Sequence, residues 1–126
     1  MTVTKERSIL IVDDNPADRK LFRRILEGAG YSVVEGSSGK EALASAEKTT
    51  FELMTLDLSM PDMDGFDVLR LVRSKHPELK VIAVSGFMHG EMLEPAKALG
   101  ADATLDKNLA TDLLLTMVCN LLKNPK

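Results

Sequence analysis

The chain of 126 residues has 44% hydrophobic and 28% charged residues and a formal net charge of −3. These values suit a single domain with one core, and a chain without a basic block is not expected to bind nucleic acid. No apolar run approaches the ~20 residues of a membrane span, and the polar segment 1–7 lacks a signal-sequence core. We therefore expect a cytoplasmic protein without a membrane partner. Its single cysteine, Cys119, excludes an internal disulfide.

Apolar runs alternate with amphipathic segments along the chain. In chain order, the sequence predicts a strand at 8–12, a helix from 16 to about 28, a strand at 31–34, a helix from about 38 to 48, a strand at 53–56, a helix at about 65–75, a strand at 81–84, a helix at 91–99, a short strand at 103–105 and a final helix around 113–122. Asn15 before Pro16 is typical of an N-cap followed by proline at the first helical position. Ser38 and Glu41 have the spacing of a capping box. The helix that contains Pro95 is the weakest.

Five alternations of strand and helix predict an α/β fold, with a parallel sheet, helices on both faces and right-handed crossovers. In such a sheet, ligands bind beyond the carboxyl ends of the strands. Polar residues follow four of the five predicted strands at that edge. They are Asp13-Asp14 after the first strand, Asp57 after the third, Ser85-Gly86 after the fourth and Asp106-Lys107 after the fifth.

Carboxylates gathered at one edge need compensating positive charge. Two of them ~4 Å apart repel by roughly 4 kcal/mol at an effective dielectric of ~20. Lys107 supplies one positive charge, and a hard divalent cation such as Mg²⁺ would supply the rest. The chemistry suits phosphoryl transfer, with Asp57 as the nucleophile, Lys107 neutralising charge on the transferred group and Ser85 donating a hydrogen bond to it.

These aspartates also have a structural interpretation, because aspartate often caps a helix. Asn15 already holds the cap position of the first helix, which argues against Asp13 and Asp14 as caps. Asp57 comes too early to cap the helix that begins near Gly65. The turn and cap positions are assigned instead to the later pair, Asp62 and Asp64.

Four segments of the chain resemble the receiver domain of bacterial two-component response regulators. They are Ile9-Leu10-Ile11-Val12-Asp13-Asp14-Asn15, Leu56-Asp57-Leu58-Ser59-Met60-Pro61-Asp62-Met63-Asp64-Gly65, Val84-Ser85-Gly86 and Lys107. The resemblance covers essentially the whole chain. It implies a flavodoxin-like, doubly wound (βα)5 fold with a five-stranded parallel sheet in the order 2-1-3-4-5. It also implies one receiver domain over 1–126, with its core at about 8–123 and no output domain within the chain.

The same resemblance implies the roles of the acidic residues. Asp57 resembles the phospho-acceptor, which receives its phosphoryl group from a histidine kinase or a phosphotransfer protein. Asp13 and Asp14 resemble the pair that binds Mg²⁺. Asp57 and the backbone carbonyl of Ser59 would complete the protein ligands of the metal.

Two further positions of the family match, and two depart from its pattern. Lys107 resembles the lysine that contacts the phosphoryl group, and Ser85 matches the Thr/Ser whose hydroxyl turns toward it. Asn108 stands where the family usually has a proline, often with a cis bond. A cis bond without proline costs ~3 kcal/mol, so we expect a trans bond here. Thr104 stands at the switch position of a Tyr or Phe that moves inward on activation, and threonine cannot bury comparable surface.

We expect a phospho-switch that acts on an unspecified downstream protein or as an intermediate of a phosphorelay, and not an enzyme beyond its own phosphorylation and dephosphorylation. Ser59 and Phe87 are poor at orienting water, which predicts slow autodephosphorylation. One alternative is a degenerate receiver that binds partners without phosphorylation. A phosphatase of the aspartyl-phosphate type would need an acid at position 59. A flavin-binding module would place a phosphate against Asp13 and Asp14, which would repel it.

A few residues outside this edge carry less specific predictions. Core packing is the simplest interpretation of Phe87, Met88 and Met92, with an adaptable partner surface as the alternative. Cys119 is expected to be a small core residue. The two histidines, His76 and His89, are expected to be solvated.

Overall fold

The computed structural model describes residues 8–88 and 90–123, so the predictions for segment 1–7 and His89 lie outside the described residues. The strands are β1 (Ser8–Val12), β2 (Ser32–Gly36), β3 (Leu53–Asp57), β4 (Lys80–Ser85) and β5 (Ala103–Asp106). The α-helices are α1 (Pro16–Gly28), α2 (Gly39–Lys48), α3 (Gly65–Lys75), α4 (Glu94–Ala98) and α5 (Ala110–Leu122). Short 3₁₀ turns at Gly90–Leu93 and Lys107–Leu109 precede α4 and α5.

The strands form one parallel sheet in the order β2-β1-β3-β4-β5, as predicted. Helices α1 and α5 cover one face, where Phe22, Leu26 and Leu114 are buried together. Helices α2, α3 and α4 cover the other, where Val68, Leu69 and other apolar side chains are buried. The central strands are therefore covered on both sides, which explains why successive residues of β1 and β3 are buried rather than alternate ones.

The predicted helix starts are capped by side chains. The Asn15 side-chain oxygen accepts from the N–H groups of Ala17 (2.8 Å) and Asp18 (3.1 Å). The Ser38 hydroxyl accepts from the Glu41 N–H at 3.1 Å. The capping box is incomplete, because the Glu41 carboxylate accepts from the N–H of the preceding Ser37 instead.

The two aspartates assigned to the turn after β3 also act as helix caps. Asp64 caps α3 by accepting from the N–H of Phe66 at 2.8 Å. Asp62 caps the neighbouring helix α2, with its two oxygens 3.0 Å from the Gly39 nitrogen and 3.2 Å from the Lys40 nitrogen. These amides lower the pKa of the Asp62 carboxyl. The turn after β3 is thereby tied to α2, about twenty residues earlier in the chain.

Arg73, near the end of α3, links that helix to the segments that precede β4 and β5. Its guanidinium donates to the carbonyl of Gly100 at 3.0 and 2.7 Å and to the carbonyl of Leu79 at 2.7 Å. It also pairs with the Asp102 carboxylate at 2.9 Å. Gly100 has a φ of +117°, and a Cβ there would lie 2.7 Å from the Arg73 side chain, so both backbone and space require glycine.

Several predictions away from the sheet edge are wrong or only partly confirmed. Cys119 is exposed and not in the core, with its sulfur 3.6 Å from the Tyr31 hydroxyl. Phe87 and Met92 are 79% and 59% exposed, whereas Met88 packs against the core as expected. The second strand covers Ser32–Gly36 rather than 31–34. The helix predicted at 91–99 is instead a 3₁₀ turn, Gly90–Leu93, followed by the short helix α4, Glu94–Ala98. His76 is half-buried, 3.4 Å from the Glu47 carboxylate, and so is not fully solvated.

None of the helices formed by residues 8–88 and 90–123 is long and apolar enough to cross a membrane.

Candidate functional site

The carboxyl ends of the strands bring three of the predicted aspartates together. Each of Asp13, Asp14 and Asp57 offers a carboxylate oxygen, and these oxygens lie within 4.8 Å of one another. The register explains this meeting, because Val12, the residue before Asp13, pairs with Leu56, the residue before Asp57. Asp13 and Asp57 are 4% and 3% exposed, whereas Asp14 is exposed. The arrangement is a carboxylate cluster with one open side.

Lys107 reaches this cluster from the turn after β5. Its ammonium lies 2.8 Å from Asp13, 3.0 Å from Asp18 and 3.4 Å from Asp57, measured to a carboxylate oxygen in each case. Burial lowers the pKa of Lys107, but the hydrogen bonds to Asp13 and Asp18 and the charge of Asp57 raise it above the ordinary value. Lys107 therefore stays charged at all moderate pH values.

The Asp57 carboxyl is a costly group to ionise in this position. Burial raises the pKa of Asp57, the N–H of Ser59 lowers it, and the charge of Asp13 raises it again, which leaves it at about 6 instead of 3.8. The Ser59 nitrogen lies 3.0 Å from the Asp57 oxygen. One lysine does not offset the acidic charge, and three clustered carboxylates are the hard oxygen donors that a divalent cation prefers.

The turn after Asp57 folds back so tightly that it requires glycine at position 65. A Cβ on Gly65 would lie 2.3 Å from the Leu58 Cα and 2.4 Å from its carbonyl oxygen. Ser59 and Asp64 form an antiparallel bridge across the same turn. The Met-Pro-Asp-Met-Asp-Gly segment thus folds onto itself and leaves the Asp57 carboxylate open to the edge.

Ser85 lies at the end of β4, fully buried, with its Cα paired to that of Asp106. Its hydroxyl oxygen accepts from the N–H groups of Phe87 (3.0 Å) and Met88 (2.9 Å). The hydroxyl thus holds the following loop in a turn. Thr104, the predicted switch position, is half-buried in β5.

The bond between Lys107 and Asn108 is trans, as expected for a position without proline. The Asp106 carboxylate accepts from the Asn108 N–H at 2.9 Å and caps the short 3₁₀ turn there. A proline at 108 would lack this N–H. The loop that carries Lys107 is therefore fixed by an aspartate cap in place of the usual proline.

Asp18 is the functional-site residue that the sequence interpretation missed. It lies in the first turn of α1, where an acid is usually explained by the helix dipole. The sequence signal was present, because the first turn of a helix that follows β1 lies at the same sheet edge as Asp13. Arg19 also reaches the edge, donating to the Asp13 carbonyl at 2.7 Å and pairing with Glu35 at 2.9 Å.

A small cavity opens at this edge, with a volume of about 270 Å³. It is lined by Asp14, Asn15, Asp18, Asp57, Ser59, Gly86, Phe87 and Lys107. A larger groove of about 1010 Å³ lies at the opposite edge of the sheet, beside residues such as Phe51 and His76. Among the described residues, the larger groove contains none of the clustered carboxylates. The chemistry is therefore concentrated in the smaller cavity.

A parallel five-stranded sheet in the order β2-β1-β3-β4-β5, with helices on both faces, defines the flavodoxin-like fold. The family model described as the response regulator receiver domain matches residues 9–119. The chain therefore belongs to the receiver domain family of two-component signalling.

Individual relatives agree with this membership. Over 121 residues the chain is 32% identical to the sensor protein EvgS of Escherichia coli K12, an alignment that covers 96% of this chain and 10% of that protein. The chain thus spans about a tenth of the length of this curated relative. Among solved structures, a CheY-like receiver domain protein from Methanospirillum hungatei has a TM-score of 0.84 and 34% identity, covering 93% of this chain and 94% of that one. The response regulator TrrA from Thermotoga maritima, in complex with Mg(2+)-BeF, has a TM-score of 0.83 and 30% identity, covering 92% and 99%.

Proposed function

We propose that Asp57 accepts a phosphoryl group from a histidine kinase or a phosphotransfer protein, and that this phosphorylation changes the binding of a downstream protein. The observation that carries the proposal is the buried Asp57 carboxylate, which faces a small open cavity with Lys107 3.4 Å away. The similarity to sensor proteins such as EvgS, and to a relative named as a sensor kinase, supports a histidine kinase as the donor. The cytoplasm is the proposed location, because a chain with a single cysteine and no internal disulfide fits a reducing compartment.

In the proposed reaction, one carboxylate oxygen of Asp57 attacks the phosphorus of the phosphohistidine. The O–P bond forms as the N–P bond breaks, and the leaving imidazole nitrogen keeps the electron pair of that bond. Asp57 must be ionised to attack, and its pKa of about 6 leaves it mostly ionised at neutral pH. Lys107, whose ammonium lies 3.4 Å from an Asp57 oxygen, is placed to neutralise the charge that develops on the phosphoryl oxygens.

The donor set at this edge fits Mg²⁺. Asp13, Asp14 and Asp57 would hold it through carboxylate oxygens, and the carbonyl of Ser59 is the predicted fourth protein ligand. When bound, the metal supplies positive charge against the transferring group. The complex of TrrA with Mg(2+)-BeF supports the same assignment for this chain.

Ser85 is the proposed link between phosphorylation and the surface. Its hydroxyl now accepts from the N–H groups of Phe87 and Met88. Turning the hydroxyl toward a phosphoryl oxygen would release those two amides and change the loop that carries the exposed Phe87. This route does not need an aromatic residue at position 104, where the chain has threonine.

The test is Mg²⁺-dependent phosphorylation by a small phosphodonor, followed by intact-mass spectrometry of the wild type and Asp57→Asn. We expect an acid-stable, base-labile phosphoryl adduct on the wild type alone, which EDTA abolishes. Equal labelling of both proteins would refute Asp57 as the acceptor. A folded wild type that takes no label would favour the degenerate receiver.

Dephosphorylation tests a second part of the proposal. Ser59 and Phe87 line the cavity, and neither side chain is an acid or amide that could orient a hydrolytic water. We therefore expect the phosphorylated protein to persist for minutes or longer once the donor is removed, and to show no turnover of added phosphate esters. A phosphoryl half-life of seconds would contradict this expectation.

A further inference from the structure

Asp18 is a fourth carboxylate at the edge, outside the cluster that would hold a metal. It lies on the first turn of α1 and lines the same cavity as Asp57. Its carboxylate is 3.0 Å from the Lys107 ammonium, and its side chain is 30% exposed. Asp18 is thus a partner of the lysine that is both inside the cavity and open to solvent.

The other partners of Lys107 have further tasks in the proposed reaction. Asp13 would turn toward a metal, and Asp57 would form the new bond to phosphorus. Asp18 has no such task, and its carboxylate lies beside Lys107. Its charge therefore lowers the net positive field that Lys107 directs into the cavity.

A count of charges indicates how strongly this matters. The four carboxylates of Asp13, Asp14, Asp18 and Asp57 oppose the single ammonium of Lys107, which gives four negative charges against one positive. A bound divalent cation would leave the cavity with one net negative charge. Without Asp18 the same loaded site would have no net formal charge, so the site is net negative only when Asp18 is present.

We propose that Asp18 is a specificity-determining residue that selects phosphodonors by charge, disfavouring dianionic acyl phosphates relative to donors with a protonated nitrogen leaving group. This inference rests on the proposed function of Asp57. A phosphohistidine carries its phosphoryl group on an imidazole that is protonated as it leaves, so such a donor brings one negative charge fewer than an acyl phosphate. Asp18 thereby favours a protein kinase over small metabolites that carry activated phosphate.

The chemistry is the same for both donor classes. One Asp57 oxygen bonds to phosphorus, and the P–N bond of phosphoramidate or the P–O bond of acetyl phosphate breaks. The leaving ammonia or acetate keeps the electron pair of the broken bond. The two donors therefore differ in the net charge that they bring into the cavity, and the carboxylate of Asp18 acts on that difference.

The experiment measures initial phosphorylation rates with acetyl phosphate and with phosphoramidate, at saturating Mg²⁺ and equal ionic strength. In Asp18→Asn, the ratio of the rate with acetyl phosphate to the rate with phosphoramidate is expected to rise about twofold to fivefold. This is the effect expected from removing one partly exposed charge. Asp18→Glu keeps the charge and should keep the wild-type ratio. Asp67→Asn is the matched control, because Asp67 is also a first-turn acid, on α3, paired with Arg70 outside the cavity.

Salt provides an independent readout. The wild-type ratio should approach that of Asp18→Asn as ionic strength rises, because screening removes the repulsion. A ratio that stays unchanged in Asp18→Asn would overturn the inference, and so would an equal fall of both rates, which would mean that Asp18 only positions Lys107. If the wild type takes label from neither donor, the proposed function itself fails and this inference with it.

Discussion

Replacing Asp57 with asparagine is expected to stabilise the metal-free protein at neutral pH, although it removes the proposed acceptor. Burial and the charge of Asp13 hold the pKa of Asp57 at about 6 in the folded state, against 3.8 for a free group. The difference is about 2 pKa units, and each unit corresponds to about 1.4 kcal/mol. Ionising Asp57 therefore costs the folded state about 3 kcal/mol, a sizeable part of the stability of a typical small domain.

The direction with pH follows from the raised pKa. Well below pH 3.8 the carboxyl of Asp57 is protonated in both states, and the wild type keeps its full stability. As pH rises from there through about 6, the unfolded chain ionises this carboxyl freely while the folded state must ionise a buried group, so that stability is lost. Asparagine has no charge to bury, so the gain of Asp57→Asn should reach about 2–3 kcal/mol at pH 7–8 and shrink toward zero near pH 4.

The assay is urea denaturation in EDTA at several pH values between 4 and 8, for the wild type and Asp57→Asn. Asp14→Asn is the matched control, because it removes a charge from the same cluster at an exposed position and should gain less than about 1 kcal/mol. Lys107 keeps its shorter contacts to Asp13 and Asp18 in the variant. A loss of stability at pH 7, or a difference that does not change with pH, would refute the reasoning.

Three further predictions concern the metal and the turn after β3. In thermal melts, Mg²⁺ should raise the midpoint of the wild type in a concentration-dependent manner and leave the midpoint of Asp57→Asn nearly unchanged. Equal shifts of the two midpoints would contradict the metal assignment. Gly65→Ala should lower the free energy of unfolding, measured by urea denaturation, by at least about 3 kcal/mol, because its Cβ would lie 2.3 Å from Leu58. Gly28→Ala is the control and should be neutral or stabilising, because a Cβ at Gly28 meets no atom within 4 Å. Asp62→Ala should cost about 1 kcal/mol through lost caps on α2, and a neutral result would show that water replaces them.

Local signals predicted most of the fold because the strands and helix starts are encoded locally. Continuous apolar runs identified the strands, and Asn15 and Ser38 bind amides two or three residues away. Alternation then fixed which ends of the strands meet, so the approach of Asp13 to Asp57 followed from topology. The order of the strands came from resemblance to a family, since neighbouring strands are not specified by local pattern.

The contacts that escaped prediction join residues distant in sequence. Asp18 and Lys107 are 89 positions apart, and only the packed sheet shows that they share a cavity. Arg73 and Gly100 are 27 apart, and their contact depends on how α3 packs against the β4–β5 edge. Cys119 differs for another reason, because cysteine is usually buried but this residue lies beside the apolar stripe of α5. The neighbouring Val118 is on that stripe and is fully buried.

The attachment of α4 differs at its two ends. Its C-terminal end continues into Gly100, whose carbonyl receives two bonds from Arg73. Its start follows a 3₁₀ turn and, within the described residues, has no side-chain cap. The buried side chains of Leu93 and Ala96 hold the body of α4 against the core, whereas Met92, on the turn before it, is exposed. A change in the loop after β4 should therefore displace Met92 more than α4 itself, so that a movement at the buried Ser85 hydroxyl reaches the protein surface at that side chain.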